Sequence, residues 1–230
     1  MNRDGDAQPM SEQALGRTAL KRLAILDAAA ELFLRKGFLA TSMDEVAALA
    51  AVSKQTVYKQ FASKAALFLG IVEGMTGAGS DRVQVEMPDP VDLAQVASGL
   101  HGHAERLMTV ALAPELLQLR RLVIGEASRF PELGKALYEG GPGRAIAGLA
   151  VTLERWAGRG LLAIPDPLAA ATQFNWLIMG EPINRAMFFI NQPPMEGVAR
   201  EAHIAAGVRL FLAGHASHDV SSPQDPSPRA

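Results

Sequence analysis

Residues 41–68 read TSMDEVAALAAVSKQTVYKQFASKAALF, and this stretch decides the fold. Ser42 is followed three residues later by Glu45, the spacing of a capping box, so a helix starts there with Val46, Ala47 and Ala50 facing inward. Ser53 can cap a second short helix, in which Val57 and Phe61 stand four apart on one face. Ser63 can cap a third. Two short helices separated by AAVS fit a helix-turn-helix, in which a tight turn sets the second helix across the first. Burying Val57 and Phe61 leaves Lys54, Gln55, Thr56, Tyr58 and Lys59 for solvent or a partner. That set suits a DNA groove, because Gln and Thr can reach base edges while Lys and a Tyr hydroxyl suit phosphates. Asp44 and Glu45 fall at a helix N-terminus, where capping accounts for them without a catalytic role.

Outward from this stretch almost everything reads as helix, and the chain is expected to be all-α. A first helix over about 18–36 carries Ile25, Ala29, Leu32 and Phe33 as an apolar stripe, with Gly37 placed as a left-handed C-terminal cap. After Met75 the segment TGAGSDRVQVEMPDP reads as a break. Helices follow over about 90–112, 114–128, 131–139 and 142–159, opened by Pro90, Pro114, Pro131 and Pro142 as first-turn prolines. Two more cover about 166–190 and 195–214, and Pro182 should kink or break the first of them. No run of alternating β-branched residues marks a strand, and no repeat marks a solenoid. The expected organisation is a polar tail over 1–16, a helix-turn-helix domain over 17–62, a larger helical domain over 63–215 and a Ser- and Pro-rich tail over 216–230.

Composition narrows the class. The 230 residues are 49% hydrophobic and 20% charged, enough for a buried core, and the net charge of −2 points to no polyanionic partner by itself. A slight basic excess lies in the first 64 residues and an acidic one in the rest. The absence of cysteine excludes disulfides, thiol chemistry and Cys-ligated zinc. The polar N-terminus carries no signal-peptide pattern, and the apolar run 168–190 is interrupted by Glu181, Pro182, Asn184 and Arg185, so no membrane span and a cytoplasmic location are expected. His101 and His103 stand two apart on different helix faces, and His215 and His218 lie at the start of the tail, so no metal and no cofactor is assigned. A helical enzyme using Glu126, Glu181 or a His as acid or base is the rival reading. Nothing in their spacing supports it, and no catalytic residue is assigned.

The stretch ILDAAAELFLRKGFLATSMDEVAALAAVSKQTVYKQFASKAALF, residues 25–68, closely resembles the N-terminal domain of the TetR family of bacterial transcriptional regulators. The matching elements are the helix ending at Phe33 and Gly37 with Phe38, then Thr41, Ser42, Val46, Ala47, Val52, Ser53, Tyr58, Phe61, Lys64 and Leu67. One departure is Ala51, where the family commonly has Gly in the turn; a left-handed Ala there costs roughly 1 kcal/mol. The resemblance implies that the helix beginning at Ser53 enters the major groove of a double-stranded DNA operator. Lys54, Gln55 and Thr56 would then face bases, with Thr41, Tyr58, Lys59 and Lys64 on phosphates.

Residues 121–162 are similar to the C-terminal domain of the AefR-like subgroup. The resemblance implies a sensor and dimerisation domain whose last two helices form a homodimer interface. The apolar character of 168–190 and the wide apolar face of 196–214 ask for such a second cover. It further implies a ligand-responsive regulator on a palindromic operator; a repressor released by a small apolar molecule is the expectation, with an activator as the alternative. Met108, Trp156, Phe174, Trp176 and Met179 are the candidates for its cavity, with Met187, Phe188 and Phe189 beside them; ordinary core packing is the alternative for each. A domain that serves only as a dimer platform also remains open.

Overall fold

The computed structural model describes residues 12–217. Residues 1–11 and 218–230, and with them most of both expected tails and His218, lie outside the described residues. Ten α-helices are described: α1 (Glu12–Lys36), α2 (Met43–Leu49), α3 (Lys54–Gln60), α4 (Lys64–Val83), α5 (Leu93–Ala111), α6 (Pro114–Glu126), α7 (Pro131–Tyr138), α8 (Arg144–Gly158), α9 (Pro167–Phe188) and α10 (Gly197–His215). Among the described residues the nearest approach to a strand is one isolated bridge, between Leu162 and Ala216. The chain is all-α, as its periodicity indicates.

The chain divides into two compact units. One holds the chain up to Ala78 together with Pro114–Gly140; the other holds Gly79–Ala113 and the chain from Gly141 onward. The first unit is wider than the helix-turn-helix segment, because α6 and α7 pack with α1–α4. Its core joins Ile25, Ala29, Leu32 and Phe33 of α1 to Val46 and Ala47 of α2 and Val57 of α3. Phe68 of α4, Leu119 of α6 and Leu133 of α7 complete it. Gly37 ends α1 at φ +85, donating its N–H to the Phe33 carbonyl at 2.9 Å. Helix α1 starts six residues before the expected Thr18, so residues 12–16 are helical rather than tail.

The expected break after Met75 comes later, over 84–92. Helix α4 runs unbroken to Val83, with Thr76 buried and its hydroxyl donating back to the Val72 carbonyl at 2.7 Å. The small and polar residues that look like a loop in sequence are carried by burial instead. Pro114 and Pro131 do open α6 and α7. Pro90 does not open α5, which is capped by Asp92 accepting from the Gln95 N–H at 2.8 Å. Pro142 sits inside a π-helical turn, Glu139–Gly143, that leads from α7 into α8.

In the second unit, α5, α8, α9 and α10 enclose Leu100, Met108, Leu153, Trp156, Phe174 and Phe211. Helix α10 comes very close to α9 at Gly207, where a Cβ would lie 2.6 Å from Ile178 Cδ1. Pro182 lies inside α9 and does not break it. Proline has no N–H, so the Ile178 carbonyl loses its helical donor. His203 of α10 supplies one: its Nε2 stands 2.8 Å from that oxygen, and since a carbonyl only accepts, Nε2 carries the proton. Replacing His203 by Ala should therefore cost about 1–2 kcal/mol, and Pro182→Ala should recover part of it by restoring the N–H. A double-mutant cycle read by unfolding checks this; effects that merely add within about 0.3 kcal/mol would sink the link.

Candidate nucleic-acid interface

The surface around α3 is built almost entirely from local signals. Ser42 caps α2 in a complete capping box: its hydroxyl accepts from the Glu45 N–H at 3.2 Å, and its own N–H donates to Glu45 Oε2 at 2.9 Å. Lys36 forms an ion pair with the same carboxylate. The Lys36 hydrogen bond, with help from the Ser42 N–H and hydroxyl, holds Glu45 down to about 2. The turn from α2 to α3 is closed by Ala51 N–H on the Ala48 carbonyl (3.2 Å) and Val52 N–H on that of Ala47 (3.0 Å). Ala51 is left-handed at φ 51, at a cost of about 1 kcal/mol for a residue with a Cβ. Ser53 then caps α3, accepting from the Thr56 N–H at 3.1 Å.

Val57 is fully buried and Phe61 nearly so, which sets the opposite face of α3 outward. Lys54, Gln55, Tyr58 and Lys59 are exposed and Thr56 is half-buried. Two of these are not idle. The Thr56 hydroxyl lies 2.8 Å from that of Ser53. Lys54 pairs with Asp44 at 2.8 Å, and this bond raises the lysine's pKa.

Two residues expected on phosphates are placed differently. Thr41 is 2% exposed, and its hydroxyl faces the carbonyls of Gly37 (3.0 Å) and Leu32 (3.3 Å), so the side chain seats the turn after α1. The Lys64 ammonium donates to the carbonyls of Thr41 (2.8 Å) and Leu39 (3.3 Å) and sits 4.5 Å from the Phe38 ring centroid. Burial lowers its pKa. Lys64 thus ties the start of α4 to the turn before α2. Sequence reasoning missed Arg22, whose guanidinium donates to the Gln60 carbonyl at 3.3 Å and lies 4.2 Å from the Phe61 ring centroid. A contact across 38 residues leaves no local signal.

The residues expected to line a cavity do not come together as one. Met108 and Phe174 are fully buried and Met179 is 4% exposed, all within packed core. Met187 is partly buried, and Trp176, Phe188 and Phe189 are exposed. Trp156 walls a recess of about 340 Å³, otherwise lined by residues of α5 and of the segment 85–90, and Phe189 borders a separate, much smaller pocket beside Pro182 and residues 192–195. Among the described residues no group of three His, Cys, Asp or Glu could hold a metal ion, and no helix is long and apolar enough to cross a membrane.

Known proteins match this arrangement along most of the chain. Residues 25–71 match the tetR family of bacterial regulatory proteins, and residues 98–216 match the C-terminal domain of AefR-like transcriptional repressors. A crystallised TetR-family transcriptional regulator from Mesorhizobium loti is 35% identical, with a TM-score of 0.77 over 87% of this chain and 98% of that one. The flavonoid-responsive regulator FrrA is 32% identical, with a TM-score of 0.72 over the same shares. The transcriptional regulator YdeS of Bacillus subtilis is 44% identical over 62 residues, which span 27% of this chain and 30% of that relative. The chain belongs to the TetR family of bacterial transcriptional regulators: it is a DNA-binding regulator and not an enzyme.

For a DNA-binding surface the Lys54–Asp44 pair has a measurable consequence. Asp44→Asn frees the Lys54 ammonium and removes a negative charge beside α3. Affinity for arbitrary duplex at low salt should rise roughly two- to fivefold, and the salt dependence should steepen. Unchanged or weaker binding in a fluorescence-anisotropy titration would show that the carboxylate does not restrain Lys54.

Proposed function

We propose that the protein binds a palindromic operator as a homodimer and is a repressor released by a small molecule. The observation that carries the DNA half is the outward face of α3: Lys54, Gln55, Tyr58 and Lys59 are exposed on a helix whose other face is locked by Val57 and Phe61. Lys54, Gln55 and Thr56 would read base edges, with Tyr58 and Lys59 on phosphates. Seven residues of helix reach few bases, whereas a two-fold pair reads two half-sites about one helical turn apart.

The homodimer reading is supported by apolar side chains that α9 and α10 leave uncovered. Leu168, Trp176 and Phe188 are exposed on α9, as are Val198 and Leu210 on α10. Large apolar side chains left exposed favour a partner, and a second copy would cover them symmetrically. The repressor and effector readings draw on the AefR-like repressor domain over 98–216 and on the flavonoid response stated for FrrA. Release would work by population shift: the effector binds preferentially a conformation in which α4, continuous from Lys64 to Val83, holds the head away from the operator spacing.

The test is selection of bound duplexes from a random pool, followed by titration of the enriched sequence at several salt concentrations. An enriched palindrome bound by two chains, lost in the variant with Lys54, Gln55 and Thr56 all changed to Ala, is the expected result. A triple variant that still selects the same sequence would overturn the assignment of α3 as the reader.

A further inference from the structure

The segment 84–92, between α4 and α5, is strapped to α8. Gln84 Nε2 donates to the Arg144 carbonyl at 2.7 Å, and Arg155 donates to the Met87 carbonyl. Asp89 holds both Arg155 (2.7 Å) and Arg159 (3.0 Å). Under this strap lies the recess of about 340 Å³, within the size range of small-molecule sites. Met87, Pro88 and Pro90 wall it from the strap, Gly99 and Arg106 from α5, and Trp156 from α8. Gly99 is what lets the indole lie against α5: a Cβ there would stand 2.8 Å from Trp156 Cη2.

Two donors in this wall have no acceptor. Trp156 Nε1 and Arg106 Nη2 are shut off from solvent and make no hydrogen bond, which is costly for a buried N–H and more so for a cation. Arg106 Nε has only a long contact, 3.4 Å, to the Val83 carbonyl. Among the described residues no carboxylate pairs with Arg106, and burial lowers its pKa. Glu86 also lines the recess but makes no ion pair with this arginine. Largely apolar walls beside a partly buried, under-partnered guanidinium define a ligand chemistry: a flat ring system for the indole, methionine and prolines, and an anionic group such as a carboxylate for the accessible edge of the arginine.

We propose that this recess is the effector site and takes an aromatic carboxylate, its anionic group on Arg106 and its ring against Trp156. This rests on the reading of the chain as an effector-responsive regulator, and it moves the site away from the buried Met108, Phe174 and Met179. Pairing the carboxylate with Arg106 draws on side chains that touch the strap, and the strap follows directly from α4.

The experiment uses the full chain, with 2-naphthoate and its uncharged counterpart 2-naphthamide as probes. Affinity is read by calorimetry. Location is read from the Trp156 indole N–H signal, assigned with a Trp176→Phe variant. The site predicts that naphthoate binds and moves the Trp156 signal, and that naphthamide binds roughly ten- to a hundredfold more weakly. Arg106→Gln should lower naphthoate affinity by a similar factor, with Arg106→Lys intermediate. Glu86→Gln, at an exposed position, should raise it severalfold and so reports on the recess even if the arginine variants fold poorly. Equal binding of acid and amide, binding that leaves the Trp156 signal still, or no binding of naphthoate at millimolar concentration would each overturn the proposal. Operator titration on the same samples separates the two readings. A moved Trp156 signal without loss of operator affinity keeps the site and sinks release, whereas a selected operator with no naphthoate binding sinks the site and keeps the regulator.

Discussion

Changing Phe38 to Ala is expected to destabilise the DNA-binding unit by about 3–5 kcal/mol, the cost of deleting a buried aromatic ring. Phe38 is 4% exposed and central to an aromatic cluster. Its ring stacks on Phe68 at 5.4 Å and meets Phe33 at 5.6 Å and Phe130 at 5.2 Å edge to face. Each such pair adds about 0.5–1.5 kcal/mol beyond area burial. The ring also seats the Lys64 ammonium, which in turn holds the Leu39 and Thr41 carbonyls ahead of α2. The damage should therefore reach function: operator affinity should fall together with stability, and amide protection at Val57 and Phe61 should drop. Phe38→Leu keeps most of the burial but loses the ring pairs, so it should cost about 1–2 kcal/mol. Denaturant unfolding of both variants is the check, and a loss below about 1 kcal/mol for the Ala variant would mean the cluster is not what holds the head.

Mild acid should loosen the second unit through one side chain. His103 on α5 is 4% exposed, with its ring centroid 6.3 Å from that of Phe174. Burial, and secondarily the positive charge of Arg106 one turn along, push its pKa down to about 4 from the usual 6.5. A histidine depressed in this way is neutral when folded at pH 7. Between pH 6.5 and 4 the unfolded chain binds a proton that the folded chain refuses, so stability falls as pH falls. Its contribution is complete above pH 6.5 and gone below about 4, a span worth about 3 kcal/mol. From pH 6.5 to 5 the loss should be about 2 kcal/mol, and His103→Gln should flatten that slope. An NMR titration that finds His103 protonating above pH 6 in the folded chain would refute this.

The helix-turn-helix was legible because each signal that makes it acts over a few residues. The capping box at Ser42 and Glu45, the cap at Ser53 and the left-handed Ala51 are set by local hydrogen bonds and sterics, and spacing alone exposes them. The outward face of α3 follows from burying Val57 and Phe61. What was misread depends on partners distant in sequence. The internal contacts of Thr41 and Lys64 are invisible in sequence, because they form only when the turn before α2 folds onto the start of α4, 23 residues on. Pro182 looks like a helix breaker until His203 donates to the carbonyl it orphans. The first half of the polar run after Met75 looks like a loop until burial keeps it in α4, as far as Val83. The apolar residues chosen for a cavity share composition with core residues, and composition does not say which side chains meet an empty volume.

The sequence by itself determined an all-helical chain, the helix-turn-helix and the family, because helix periodicity, caps and a dense motif are local properties. Only the tertiary structure decided that α6 and α7 pack with the DNA-binding unit, that Lys64 is a brace, and that Arg106 and Trp156 share a wall under the 84–92 strap. Those facts come from contacts between residues tens of positions apart, where loop closure and burial, not local propensity, select the neighbours.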